Sequence, residues 1–187
     1  MAGHPALLFD FDGTLADTAQ ANHAAYAQAL REVGVDIGRE AFDRVALGRN
    51  WREFLPALLA GTGAAPQAVA ARKAALYPGF ASSIRFNPQL LGLIEHRAAG
   101  TRLALVSSAS RRNLHSALCA RPQLLQAFDV VVSGDDVAAH KPDPEAYVLA
   151  ARRLGVSPAQ CIVFEDSEAG VGAASAFGAQ VLRVLPW

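Results

Sequence analysis

The sequence predicts a doubly wound α/β fold, a Rossmann-like parallel sheet, with an all-helical cap inserted after the first strand. Three observations carry this. Short apolar runs of strand length recur along the chain, each followed by a turn or a polar cluster. From residue 88 onward helical patterns alternate with those runs, the rhythm of a parallel sheet covered on both faces. Between residues 16 and 86 the rhythm lapses and only helical signals remain. Residues 1–15 and 87–187 are therefore expected to form the α/β core, and residues 16–86 the cap.

In order, residues 6–9 are continuously apolar and read as a strand buried on both faces. Cap helices follow at 23–33, 40–47, 52–59 and 67–77, with Asp17 and Thr18 starting the first. Gly34, Gly48 and the Gly61-Thr62-Gly63 cluster punctuate them, as helix-ending glycines do. The core then resumes with helices at 88–99, 111–118, 144–154 and 168–177, separated by buried strands at 102–106, 130–132, 162–164 and 181–184. After the fifth strand the chain stops at Pro186-Trp187, so that strand is expected to be less covered than the others. Apolar area left there suits a monomer or a weak homodimer.

Composition narrows the class. Apolar residues make up 52% of the 187 and charged residues 18%, far from a disordered chain and enough for a real core. Lys plus Arg equal Asp plus Glu at 17 each, so no overall field holds the protein on nucleic acid or an anionic membrane. No apolar stretch approaches the roughly 20 residues of a spanning helix, and no leader precedes the first strand, which reads as cytoplasmic. Cys119 and Cys161 form no disulfide framework or thiolate zinc pattern and read as buried, reduced thiols. His4, His23, His96, His115 and His140 have no zinc-type spacing.

In an open parallel sheet, ligands bind beyond the carboxyl ends of the strands, so the residues after each apolar run matter most. The first run ends in Asp10-Phe11-Asp12-Gly13-Thr14 and the second in Ser107-Ser108. The third leads through Asp135-Asp136 to Lys141-Pro142, and the fourth ends in Glu165-Asp166-Ser167. Carboxylates sharing one crevice repel one another unless a cation neutralises them. Mg²⁺ suits such a set: it prefers oxygen ligands and takes one or two carboxylates plus a substrate phosphate, here Asp10, Asp166 and the Asp12 carbonyl. Ser107 and Lys141 add a hydroxyl and a compact positive charge for the oxygens of a transferring phosphoryl group, with Ser108 beside them.

These residues resemble the four motifs of the haloacid dehalogenase-like hydrolase superfamily. Asp10-Phe11-Asp12-Gly13-Thr14 is similar to the first, Ser107 to the second, Lys141-Pro142 to the third and Glu165-Asp166-Ser167 to the fourth, in matching order over residues 7–184. The helical insertion resembles the cap of the subgroup holding phosphoglycolate phosphatases, sugar phosphatases and β-phosphoglucomutases. The resemblance implies that Asp10 attacks phosphorus to form an aspartyl-phosphate, that Asp12 is the general acid and base, and that Glu165 and Asp166 hold the metal. The implied substrate is a small phosphate ester, a sugar phosphate or a phosphoglycolate-like metabolite, beneath a cap that excludes water.

Other readings stand beside this one. A dehalogenase of the same superfamily lacks the second aspartate and needs no metal, which Asp12 and the Glu165-Asp166 pair argue against. A β-phosphoglucomutase carries a histidine early in the first cap helix, where Asn22 stands here with His23 about 100° further round. A non-catalytic binding protein would have lost one of Asp10, Asp12, Ser107, Lys141 or Asp166, and all are present. Each motif also has a plain structural use: Asp12-Gly13 as a turn, Ser107 or Ser110 as a helix cap, Lys141-Pro142 as a surface loop. In the cap, Arg49 and Asn50 follow a predicted loop and are candidate substrate contacts with Asn22, whereas Trp51 also reads as core. His140 reads as a loop residue, and Asp135 and Asp136 as capping or turn residues.

Overall fold

The computed structural model describes residues 5–46, 49–119 and 121–187. His4, and Gly48 with Leu47 at the end of the second predicted cap helix, lie outside the described residues. The chain divides into two compact units, residues 1–17 with 85–187 and residues 18–84.

The first unit is built on a parallel sheet. Its strands are β1 (Ala6–Phe9), β4 (Arg102–Val106), β5 (Val130–Val132), β6 (Cys161–Glu165) and β7 (Gln180–Arg183), in the order β5-β4-β1-β6-β7. Every neighbouring pair is parallel, and β1 lies at the centre between β4 and β6. Side chains alternate across the sheet as the pleat requires. Ala6, Leu8, Ala104, Val106, Val132 and Val163 share one buried cluster with the inner faces of α8 (Glu145–Leu154) and α9 (Glu168–Phe177). Phe9, of opposite parity, stacks on Phe164 at 4.7 Å and meets Phe128 edge-on at 6.1 Å.

Four details differ from the sequence reading. The strand expected to be buried at 181–184 is the edge strand β7, with Leu182 at 43% exposure and Leu185 beyond it at 70%. The helix expected over 88–99 is α5 (Pro88–Glu95), which stops early because the His96 ring and the Arg97 guanidinium turn back onto the carbonyls of Gly92 and Ile94. Cys161 is buried, but Cys119 is exposed. It follows the last residue of α6 (Arg111–Leu118), where Leu118 takes the inward position. A short helix, α7 (Pro122–Ala127), begins on a proline that the sequence reading passed over.

The boundaries expected at residues 16 and 86 fall on an antiparallel ribbon of β2 (Ala16–Asp17) and β3 (Arg85–Phe86), in which Asp17 is paired with Arg85. The second unit is helical: α1 (Ala19–Arg31), α2 (Arg39–Ala46), α3 (Trp51–Leu58) and α4 (Pro66–Leu76). It has its own core of Leu30, Phe42, Phe54, Leu55, Leu59 and Val69, with rings of Tyr26, Phe42 and Phe54 in edge-on and tilted contact. Among the described residues no helix is long and apolar enough to cross a membrane.

Candidate active site

Four neighbouring strands deliver the polar residues at one end of the sheet. Asp10 follows β1 and is tied to the next strand by its N–H, which donates to the Phe164 carbonyl at 3.0 Å. Ser107 follows β4, its N–H donating to Val132 at 2.9 Å. Glu165 ends β6 and Asp166 comes next. The turn after β1 is narrow: Gly13 has φ +92°, and any Cβ there would collide with the Asp166 carboxylate. Thr14, fully buried, donates its hydroxyl to Asp166 Oδ1 at 3.0 Å, fixing that acid from the same turn.

Lys141 reaches into this group from the loop before α8. Its Nζ donates to Asp10 Oδ1 at 2.7 Å, to Glu165 Oε1 at 2.5 Å and to the Val106 carbonyl at 3.2 Å. Three donors are thereby placed, the full complement of an ammonium. Ser107, 2% exposed, donates its hydroxyl to Asp12 Oδ2 at 3.3 Å and accepts the N–H of Ala109 at 3.0 Å. Ser108 is exposed, and its carbonyl lies against Gly134 where no side chain would fit.

Burial raises the Asp10 carboxyl well above the usual carboxylate range, opposed by Lys141 and reinforced by Glu165 and Asp12. Burial also raises Asp166, against the Thr14 hydrogen bond. Burial penalises the charge of Lys141, but Asp10, Tyr147 and Glu165 outweigh it and hold the ammonium well above its ordinary value.

Carboxylate oxygens of Asp10, Glu165 and Asp166 all lie within 4.8 Å of one another. An all-oxygen, net negative and largely buried donor set fits a hard divalent cation, which would relieve the strain on Asp10 and Asp166. Glu165 is the less open donor: Oε1 accepts Lys141 and the Tyr147 hydroxyl, and Oε2 accepts Ser167 N–H at 3.2 Å and Oγ at 3.1 Å.

Other candidates have structural uses. Ser110 caps α6 and Ser167 caps α9, accepting the N–H groups of Asn113 and Gly170. Asp136 accepts from Ser133, Arg111 and Arg153, and Asp135 from the Arg111 N–H. His140 lies in the loop, where its carbonyl accepts the Asp143 N–H. In the helical unit Asn50 caps α3 in a reciprocal box with Glu53, and half-buried Trp51 packs on that unit's core. Arg49 is exposed. Asn22 Oδ1 accepts Lys73 Nζ at 2.6 Å, while its Nδ2 donates to Thr18 Oγ1 at 3.1 Å.

Two residues escaped the sequence reading. Lys73 is 4% exposed, its Nζ lying 4.1 Å from the centre of the Tyr77 ring. The signal was its spacing of four from both Val69 and Tyr77, which places a lysine on the inward face of α4. Tyr147 is fully buried and donates to Glu165 Oε1 at 2.8 Å. It stood in the sequence as one aromatic on the apolar face of α8.

Residues 4–178 match the family model described as haloacid dehalogenase-like hydrolase. Among curated relatives, the fructose-1-phosphate phosphatase YqaB of Escherichia coli is 32% identical over 181 residues, with 95% of each chain covered. A phosphorylated carbohydrates phosphatase of Thermotoga maritima is 34% identical, covering 92% of this chain and 81% of that one. Among solved structures, CbbY of Rhodobacter sphaeroides in complex with phosphate superposes with a TM-score of 0.85 at 29% identity, covering 97% of this chain and 87% of that one.

Proposed function

The chain belongs to the haloacid dehalogenase-like hydrolases and is a phosphoric monoester hydrolase of that family; from that premise we propose that it is a Mg²⁺-dependent phosphatase of small phosphorylated metabolites, sugar phosphates foremost, working through an aspartyl-phosphate on Asp10. The observation that carries the reading is Lys141 Nζ, 2.7 Å from Asp10 Oδ1 inside a buried group of acids. A lone phosphoryl group entering there meets a nucleophile and a fixed positive charge together.

In the first step an Asp10 carboxylate oxygen attacks phosphorus, the bond to the ester oxygen breaks, and Asp12 gives that oxygen its proton. Lys141 and the Ser107 hydroxyl hold the non-bridging oxygens, where negative charge is spread in the transition state. In the second step a water gives a proton to Asp12 as it attacks the aspartyl-phosphate, releasing inorganic phosphate and restoring Asp10. Asp10, Asp166 and the Asp12 carbonyl would hold Mg²⁺, which would supply positive charge to offset the repulsion between Asp10 and the substrate phosphate. Glu165 aims Lys141. The sugar-phosphate class rests on the named relatives, since YqaB and the Thermotoga enzyme both act on phosphorylated carbohydrates by their descriptions.

The test is phosphate release from p-nitrophenyl phosphate and a panel of sugar and carboxylic-acid phosphates, with Mg²⁺, with EDTA and in Asp10→Asn. Release that needs the metal and falls by at least about a thousandfold in the variant is expected, as for loss of a nucleophile. Isomerisation of β-glucose 1-phosphate without phosphate release would instead establish a mutase.

A further inference from the structure

We propose that Tyr147 is a positioning residue for phosphoryl transfer, its hydroxyl fixing the Glu165 carboxylate that aims Lys141 at Asp10. This role rests on the phosphatase reading above.

The ring alone does not account for a tyrosine here. Tyr147 lies on the inward face of α8 with Ala146, Ala150, Ala151 and Leu154, and its ring stacks on Phe177 at 6.4 Å. Phenylalanine would fill that space equally well. A hydroxyl buried without a partner is penalised, so its presence in a fully buried position needs a bond to offset it. That bond goes to Glu165 Oε1, 2.8 Å away.

What the bond does follows from the valences around Glu165. This carboxylate is 0% exposed and accepts four donors, two on each oxygen. A carboxylate has about four such sites, so its orientation is fully determined. On Oε1 the phenol and Lys141 share one oxygen, and the same ammonium lies 2.7 Å from Asp10. The phenol takes up part of the Glu165 charge without bringing a second cation. Lys141 is thus shared between Glu165 and Asp10 instead of being drawn wholly onto Glu165. Packing closes the arrangement, because a Cβ at Gly170 would collide with the Glu165 carboxylate and only glycine lets α9 pass over it.

The experiment compares the wild type, Tyr147→Phe, Lys141→Met and the double variant in calorimetric titration with orthovanadate in Mg²⁺, alongside kcat and KM on p-nitrophenyl phosphate. Tyr147→Phe is expected to bind vanadate roughly tenfold more weakly and to lose roughly tenfold in kcat with KM little changed. In the Lys141→Met background removing the hydroxyl should weaken vanadate no further, because its effect passes through the missing ammonium. Phe177→Leu, which removes the stacked ring and leaves the hydroxyl, separates packing from positioning: it should lower Tm and leave vanadate affinity intact. Wild-type affinity in Tyr147→Phe, or an equal loss with and without Lys141, overturns the role, as does a wild type that binds no vanadate. Coupled vanadate binding in a protein that turns over no phosphate ester would sustain the role of Tyr147 and sink the phosphatase reading.

Discussion

At the residue scale, the acids and the lysine were legible because each follows an apolar run, and a parallel sheet brings such positions together whatever lies between them in sequence. Asp10, Ser107 and Glu165 came from that rule alone, and Lys141 from its place after the third run. Tyr147 was not legible, since an aromatic on an apolar helix face is ordinary core and only its distance to Glu165 gives it a further part. Glu165 shows the same limit. The resemblance implies that it holds the metal, and its carboxylate does lie with Asp10 and Asp166 within 4.8 Å, but no motif shows that Lys141, Tyr147 and Ser167 also donate to it. Gly170 makes this testable without touching a polar group. An added methyl at that position meets the Glu165 carboxylate, so Gly170→Ala must displace either the carboxylate or the first turn of α9. Overpacking of this kind costs about 1–3 kcal/mol. Tm is expected to fall by about 5 °C, at roughly 2–4 °C per kcal/mol for a chain of this size. Phosphatase activity should fall in the same variant at temperatures where it remains folded, as measured by circular dichroism and phosphate release.

At the element scale, strand existence and order of appearance were readable from apolar runs, while ends and exposure were set by neighbours that a sequence does not display. β7 was expected to be buried like β6, yet it carries Gln180 and Arg183 and lies at the sheet edge, so Leu182 is exposed where Val163 is fully buried. The turn after β5 is a second case. Asp135-Asp136 read as a bland cap, and the structure gives Asp136 a specific use: with its side chain 7% exposed it joins Ser133 to Arg111 at the start of α6 and to Arg153 on α8. Burial alone would raise its carboxyl, but the bonds from Ser133 together with Arg153 and Arg111 bring it down to about 2. A carboxylate whose folded value is depressed contributes stability above its unfolded value, near about 3.9, and that contribution is lost as pH falls toward the folded one. Wild type should therefore melt higher than Asp136→Asn above about pH 4. The gap should narrow steadily between pH 4 and pH 2, and a gap independent of pH over that range would show that the tie is not electrostatic.

At the scale of the whole molecule, the sequence showed two kinds of segment because the apolar period changes from buried runs to helical faces near residue 16 and back near residue 86. The short ribbon at that junction was not legible, since two residues per strand are too few to show a period. Yet the ribbon makes the α/β unit separable. Asp17 and Arg85 are directly paired, and Arg85 bonds the Asp17 carboxylate at 2.7 Å. A two-residue turn of Asn-Gly type spans such neighbours. Each unit also has its own buried cluster, with Leu8, Val106 and Val163 in one and Leu30, Phe42 and Leu55 in the other. Replacing residues 18–84 by Asn-Gly should accordingly leave an α/β protein that melts cooperatively. Asp10, Asp166 and Lys141 would all remain in it, so Mg²⁺ should still raise its Tm by mass action, and Asp166→Asn should abolish that rise. What it should lose is discrimination: kcat/KM values across the sugar-phosphate panel should converge toward that for p-nitrophenyl phosphate if the helical unit selects the leaving group. A shortened protein that keeps the full-length preference would place substrate recognition in the α/β unit itself.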